Sequence, residues 1–429
     1  MPQIIAAVVG NLVAGAATAA VGSLLGGLAG LFAATGILAA FSSNRPGISS
    51  FGAGQLISNT IDPALPQRLI YGTRRVGGQI VYTRPSTIGK IGVILPPGER
   101  LVNEQATGEN PFFWTIVALA GHECESIEDV FFGDIKLNLD AEGFATNPQF
   151  IENQFKAVLV SPLEVEGKLV PIKLILVKKF DGSQTGADQQ MVNEIENWTA
   201  QHIGKGICHV AVRLQYSQSK MSQVRNISAI VKGRKIFDPR TSTTVFSNNP
   251  ALCIRDYLTD TKFGLESSSS EINDASVITA ANICEEQIEF FTGTGISFFD
   301  RYTCDMVVES GTNIIDNLNF LVSTLAGTVT YIQGEFNVNA GAFTSPVVTI
   351  DESWLTAAPV RMVTKTTRNQ LFNAVKGVFV DSEQNYEVTS FTPVTSSVFE
   401  TQDGGTRVFQ NIQLRGTTNS QRAQRIARI

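Results

Sequence analysis

Charge is scarce in this 429-residue chain. Lys, Arg, Asp and Glu make up 17% of it, against ~25% in an ordinary soluble domain, and the first of them is Arg45. Histidine is scarcer still. Only His122, His202 and His209 occur, which leaves little material for imidazole-based acid–base or metal chemistry. The five cysteines, Cys124, Cys208, Cys253, Cys284 and Cys304, are odd in number and widely spaced, with no CxxC pair. That argues against a disulfide framework and suits folding in a reducing cytoplasm. No basic block exists and the net charge is −6, so sequence-independent binding to a nucleic-acid backbone is disfavoured.

Catalytic motifs are missing as well. There is no GxxxxGK[ST], no GxGxxG behind a strand and no GxSxG elbow. His122 and Cys124 stand at i and i+2, on one side if they lie in a strand, but no second pair completes a zinc set. A sheet-edge turn is the plainer reading. Glu123, Glu125, Glu128 and Asp129 cluster after a strand pattern and read as a solvated turn rather than an acid pair. The expectation is no catalytic residue, no metal and no cofactor, hence no enzyme.

What the chain has in abundance is one apolar head. "GNLVAGAATAAVGSLLGGLAGLFAA" (10–34) carries no charge, and Gly10, Ala14, Thr18, Gly22, Gly26, Gly30 and Ala34 recur at every fourth position. On a helix that spacing makes a narrow ridge that a second backbone can approach closely. As one helix, Ile4 to Phe41 would measure roughly 57 Å at ~1.5 Å per residue, nearly twice the ~30 Å hydrocarbon thickness of a bilayer. Met1–Pro2–Gln3 lacks the basic start of a secretion signal, and aromatic belts are missing too. Close helix packing is therefore expected over 1–45, with insertion into a membrane as the alternative.

Past a linker-like stretch, "NRPGISSFGAGQLIS" (44–58), the pattern turns to β. "RLIYGTRRVGGQIVYTRPS" (68–86) predicts two strands around a turn at Gly77–Gly78, and 112–137 and 156–182 predict further strands. Helices are expected over 187–203, 249–260, 272–291 and 311–327. A hairpin follows with its turn near Gln333–Gly334, then strands over 369–394 and a helix in "SQRAQRIARI". The fold class is multidomain α+β. Its expected parts are the apolar helical segment 1–45, a first β-rich region 46–248, a helix-rich region 249–345 and a second β-rich region 346–429. Within "VKGRKIFDPR" (231–240), Lys232, Arg234, Lys235 and Arg240 are either a solvated strand and its turn or a contact for an acidic partner.

Seven phrases occur in a familiar order: "DPALPQRLIYGTRRVGGQIVY" (62–82), "WTIVALAGHECESIEDVFFGD" (114–134), "ISAIVKGRKIFDPRT" (227–241), "SNNPALCIRDYLTDTKFGL" (247–265), "FDRYTCDMVVES" (299–310), "NIIDNLNFLVSTLAGTVTYIQGEFNVNAGAF" (313–343) and "DGGTRVFQNIQL" (403–414). Together, from about residue 55 onward, they resemble the tail-tip attachment, or host-specificity, J-type proteins of long-tailed bacteriophages. The resemblance implies a structural virion protein, a homotrimeric baseplate hub at the distal tail tip. Two tube-like β-domains per subunit would give a pseudo-sixfold ring that closes the tail tube and opens for genome ejection. It implies assembly in the host cytoplasm with a distal tail ring, a tape-measure protein and a central fibre or receptor-binding part, DNA only passing through the lumen. The motif residues it marks as structural are Tyr71, Gly72, Val76, Gly77, Gly78, Gly121, His122, Gly233, Arg234, Asp238, Pro239, Arg240, Asn249, Pro250, Asp256, Tyr257 and Leu258. Such proteins usually continue beyond the "AQRIAR" helix into further modules, so receptor binding is not carried over to these residues.

Overall fold

A computed structural model describes residues 57–429 except 63, 87–111, 162–163, 216, 218–219, 222–223, 292–294, 347, 350, 352 and 354–370. The ladder from Gly10 to Ala34 lies outside the described residues. So do the whole of the expected segment 1–45 and the start of the linker-like stretch.

The first half is built from short, β-branched strands. They are β1 (Arg68–Tyr71), β2 (Thr73–Gly77), β3 (Gln79–Pro85), β4 (Phe112–Ala120), β5 (Ser126–Phe132) and β6 (Ile135–Lys136), then β7 (Ile151–Ser161), β8 (Glu164–Lys173), β9 (Ile175–Phe180), β10 (Cys208–Gln215) and β11 (Ile227–Lys232). Two antiparallel four-stranded sheets result, ordered β3-β4-β10-β9 and β2-β11-β5-β6, with β7 and β8 forming a separate two-stranded ribbon. Their buried faces share one apolar cluster containing Val117, Leu119, Phe132, Val210 and Val231.

Where two strands were expected over 68–86, there are three. The chain breaks at Gly72, whose φ of 64° is left-handed. Gly77 and Gly78 do not have positive φ; they allow close approach instead. A Cβ on Gly78 would stand 2.1 Å from the Ala118 carbonyl oxygen, and one on Gly77 would stand 2.2 Å from that of Ile57. The helix expected over 187–203 is confined to α1 (Gln189–Glu194). Ile195 turns extended to bridge Ser86, and Asn197 takes a φ of 64°.

Helices dominate next. After the β12 (Lys235–Asp238) and β13 (Thr243–Phe246) pair come α2 (Pro250–Thr259) and α3 (Asp274–Cys284), the hairpin β14 (Gln287–Phe291) and β15 (Ile296–Asp300), β16 (Met306–Glu309) and α4 (Ile314–Thr324). The helix starts follow local chemistry: Asn249 caps α2 with Pro250 at its first position, and Asn273 and Asn313 cap α3 and α4. The helical reading of 272–291 is corrected at Cys284, because "QIEFF" alternates and pairs as β14. β17 (Thr328–Ile332) and β18 (Glu335–Asn339) form the expected hairpin, with Gln333 and Gly334 both at positive φ as a two-residue turn requires.

The last part contains β19 (Ala374–Asp381), β20 (Glu387–Ser390), β21 (Val394–Thr395), α5 (Ser397–Gln402), β22 (Phe409–Leu414) and α6 (Ser420–Arg428). β19 is central and pairs with β22 in parallel. One core runs through this sheet and the helical region together: Leu252, Tyr257, Leu321 and Val338 share a cluster with Phe379, Ile412 and Ile426. Among the described residues the fold is sheet-rich α+β, with six α-helices and several small sheets.

Candidate functional site

Residues from five of the seven phrases meet where the two large cores join, and β1 is the joint. Alternation along a strand points successive side chains to opposite faces. Leu69 and Tyr71 enter the helix-containing core, while Ile70 enters the β core. β1 pairs with β16, whereas β2, one residue further on, pairs with β11. Gly72 is the switch between the two sheets. A Cβ there would stand 2.2 Å from the Cys304 carbonyl oxygen and 2.3 Å from Asp305 Oδ1.

The other edge of β1 is closed by neighbouring loops. Gly233 N–H donates to the Gly72 carbonyl at 2.8 Å and Arg234 N–H to that of Ile70 at 2.9 Å. His122 is not on a strand; it follows β4 and acts as an acceptor for β1. Its Nε2 receives Ile70 N–H at 2.9 Å, and its Nδ1 lies 2.7 Å from the Glu123 carbonyl. Those partners demand the tautomer with the proton on Nδ1. Burial, with help from the Arg234 and Lys262 charges, lowers the His122 pKa to about 4. Gly121 N–H ties the same loop to the Arg68 carbonyl at 2.9 Å.

Beneath this lies a buried ionic cluster. Tyr71 Oη–H donates to Asp256 Oδ2 at 2.7 Å. Arg234 reaches Asp256 at 3.4 Å and also pairs with Asp260. Burial raises the Asp256 pKa against the pull of Arg234. Burial also pushes Asp260 up, but there the Phe263 N–H and Arg234 outweigh it and the net shift is downward. Tyr71 is raised well above its ordinary range by burial and by Asp256. Tyr257 and Leu258, on the same helix as Asp256, are fully buried in the core.

Two further nodes extend the joint. Asp305 Oδ1 accepts Thr73 N–H at 2.9 Å and its Oδ2 accepts the Thr418 hydroxyl at 2.6 Å. Burial raises its pKa, and burial lowers that of the adjacent Arg74 to about 10. Arg240, following Asp238 and Pro239, grips Asp238 at 2.7 Å and Glu285 at 2.6 Å. Glu285 in turn accepts from Asn249, the cap of α2, at 2.9 Å. These bonds tie "GRKIFDPR" to "NNPALC". Asp260, Glu285, Arg74, Asp305 and Thr418 were not singled out in the sequence; Asp260, Arg74 and Asp305 lie inside the phrases and Glu285 and Thr418 outside them, and nothing local marks their partners.

The basic and acidic clusters turn out to be partners of each other. Lys232 pairs with Glu128 at 2.6 Å, and Lys235 with Glu125 at 3.4 Å and Glu123 at 3.8 Å. Asp129 pairs with Lys136 at 2.8 Å. With Arg234 and Arg240 paired as well, the carboxylates that meet the 231–240 stretch are the chain's own. These pairs favour the reading of a solvated strand and its turn over a contact for an acidic partner. Exposed pairs of this kind each contribute ~0–1 kcal/mol.

Every named group in the joint faces a fixed partner, an arrangement that holds two bodies in one orientation. Among the described residues no group of three or more His, Cys, Asp or Glu side chains is placed to hold a metal ion. All five cysteines are buried free thiols. No protein-family model and no curated protein sequence matches the chain. The fold is similar to that of a chain in the structure of the virion of a native gene transfer agent (GTA) particle. The match has a TM-score of 0.50 at 12% identity and covers 100% of this chain and 83% of the other. At that identity the likeness is one of fold.

Proposed function

We propose that the chain is a structural component of a phage-like particle and acts as the hub of its tail tip. Three copies close the distal end of the tail tube, link it to a central fibre or receptor-binding part, and open for genome ejection. The observation that carries this reading is the fold likeness, over the whole chain, to a chain of a gene transfer agent virion. The resemblance of the motif phrases to J-type tail-tip proteins supports it independently. In this proposal the β-rich regions before and after the helices are the two tube-like domains, the expected 46–248 and 346–429, with the helix-rich 249–345 between them.

Electron microscopy of purified particles tests the reading. Density for this chain at the distal tail tip with threefold symmetry is the expected result. Its placement in the capsid, or its absence from particles, overturns it. The charge-free run from Ile4 to Phe41 favours a second, compatible reading, in which the head enters the host envelope during delivery. Particles lacking residues 1–41 should then adsorb and fail to deliver DNA; normal infection by them removes that reading.

A further inference from the structure

Helix α5 is anomalous for its composition. It carries Val398 and Phe399, yet it buries no residue at all; the two side chains are 61% and 57% exposed. The turn after α5 is fastened to Asn373, whose Nδ2 donates to Asp403 Oδ2 at 2.7 Å and to the Thr406 carbonyl at 2.8 Å. Val408 N–H returns to Asn373 Oδ1 at 2.8 Å. These bonds gather Phe372, Val408 and Phe409 around the same point, all three exposed. Lys376 lies over the Phe409 ring at 4.9 Å. The five apolar residues leave on the order of 450 Å² of their surface in water, taking ~150–250 Å² for a whole aromatic side chain. That is the size of the largest apolar patch on a typical monomer, which is often a functional surface.

A second bare surface lies on the β14–β15 hairpin. Its register puts Glu289 opposite Phe298, two positions along from Ile296, so Glu289, Ile296 and Phe298 share one face. The opposite face is covered: Phe290 and Phe299 pack edge to face at 5.2 Å, and the Arg422 guanidinium of α6 stands 5.4 Å from the Phe299 ring. On the free face Ile296 is 62% and Phe298 60% exposed. A two-stranded hairpin with bare apolar side chains is marginal in water by itself. Its free face adds roughly 200 Å², which brings the apolar total to about 650–700 Å². That equals the apolar share of an interface of roughly 1,200 Å², the lower end of the stable class.

We propose that the α5 patch is the docking surface for the β14–β15 hairpin of a second copy of this chain. The two surfaces match in character and in charge: Phe409 with Lys376 on one, Phe298 with Glu289 on the other. Both are bare within one chain, so neither is the other's partner in the same copy. An interface whose halves lie at different places on one chain is heterologous, and such a contact closes into a ring when the rotation per step allows. The inference rests on the ring-forming reading given above and supplies its contact.

Mixing exposed-site variants of the full chain tests it, with particle mass as the readout. The wild type is expected to be oligomeric, and Phe298→Ser and Phe399→Ser each monomeric. An equimolar mixture of the two should yield dimers, because one intact patch then meets one intact hairpin. A monomeric wild type, variants that keep the wild-type mass, or a mixture that stays monomeric each overturns the proposal. Should a serine variant unfold by circular dichroism, charge exchange replaces it. Lys376→Glu and Glu289→Lys should each weaken assembly about tenfold, and the double variant should restore it; no restoration overturns the contact. The hub reading fails separately: dimers in the mixture with the chain absent from the tail tip leave the contact standing. Normal tails from the serine variants remove the contact alone.

Discussion

Arg234 holds together carboxylates that could not stand as near neighbours without it. Asp256 and Asp260 are one turn apart on the chain and both face its guanidinium. Arg234→Ala leaves two buried charges without a cation and should cost about 3–5 kcal/mol in urea unfolding. Adding Asp260→Asn should recover part of that loss, since the double variant removes one of the stranded charges. His122 makes the complementary point about pH. Its pKa falls from 6.5 in the unfolded chain to about 4 in the fold, so between those values the unfolded chain holds the extra proton. Stability contributed by neutral His122 is therefore full above pH 6.5 and is lost as the pH drops toward 4, by about 3 kcal/mol. Buried Asp256 and Asp305, whose pKa values are raised, act with the opposite sign. The check is the difference in slope between wild type and His122→Gln, which should be flatter across that window. The motif residues were legible as names in the sequence. Their partners were not, because the pairing of Tyr71 with Asp256 spans 185 positions and no local pattern records it.

Elements with their own end signals were legible. α2, α4 and the β17–β18 hairpin follow from Asn caps, a leading Pro and a Gln–Gly turn, all of which act within a few residues. α1 and the end of α3 were over-extended, because Ile195 and Ile288 fit a helical period as well as a strand. Tertiary pairing decided both. The break in β1–β2 is the case with most consequence. Gly72→Ala must accept a left-handed backbone at ~1–2 kcal/mol and displace the Cys304 carbonyl, so a loss above about 3 kcal/mol is expected. Gly334→Ala is the control, since it also has positive φ but opens onto empty space. It should cost only the backbone share in the same denaturation assay.

For the whole molecule, the bare faces of α5 and β14–β15 are where the fold leaves room for partners. The sequence showed β-rich, helical and β-rich regions in order, but not that the last two share one core, since a core is assembled across the chain. β1 extends that sharing to the remaining core. Its four residues cannot leave one core without withdrawing Ile70, or Leu69 and Tyr71, from the other. Heat should thus find no independently melting half in the described body: calorimetry should give a single absorption peak, with the van't Hoff enthalpy equal to the calorimetric one. Gly72→Ala, which strains the joint, should divide that peak in two.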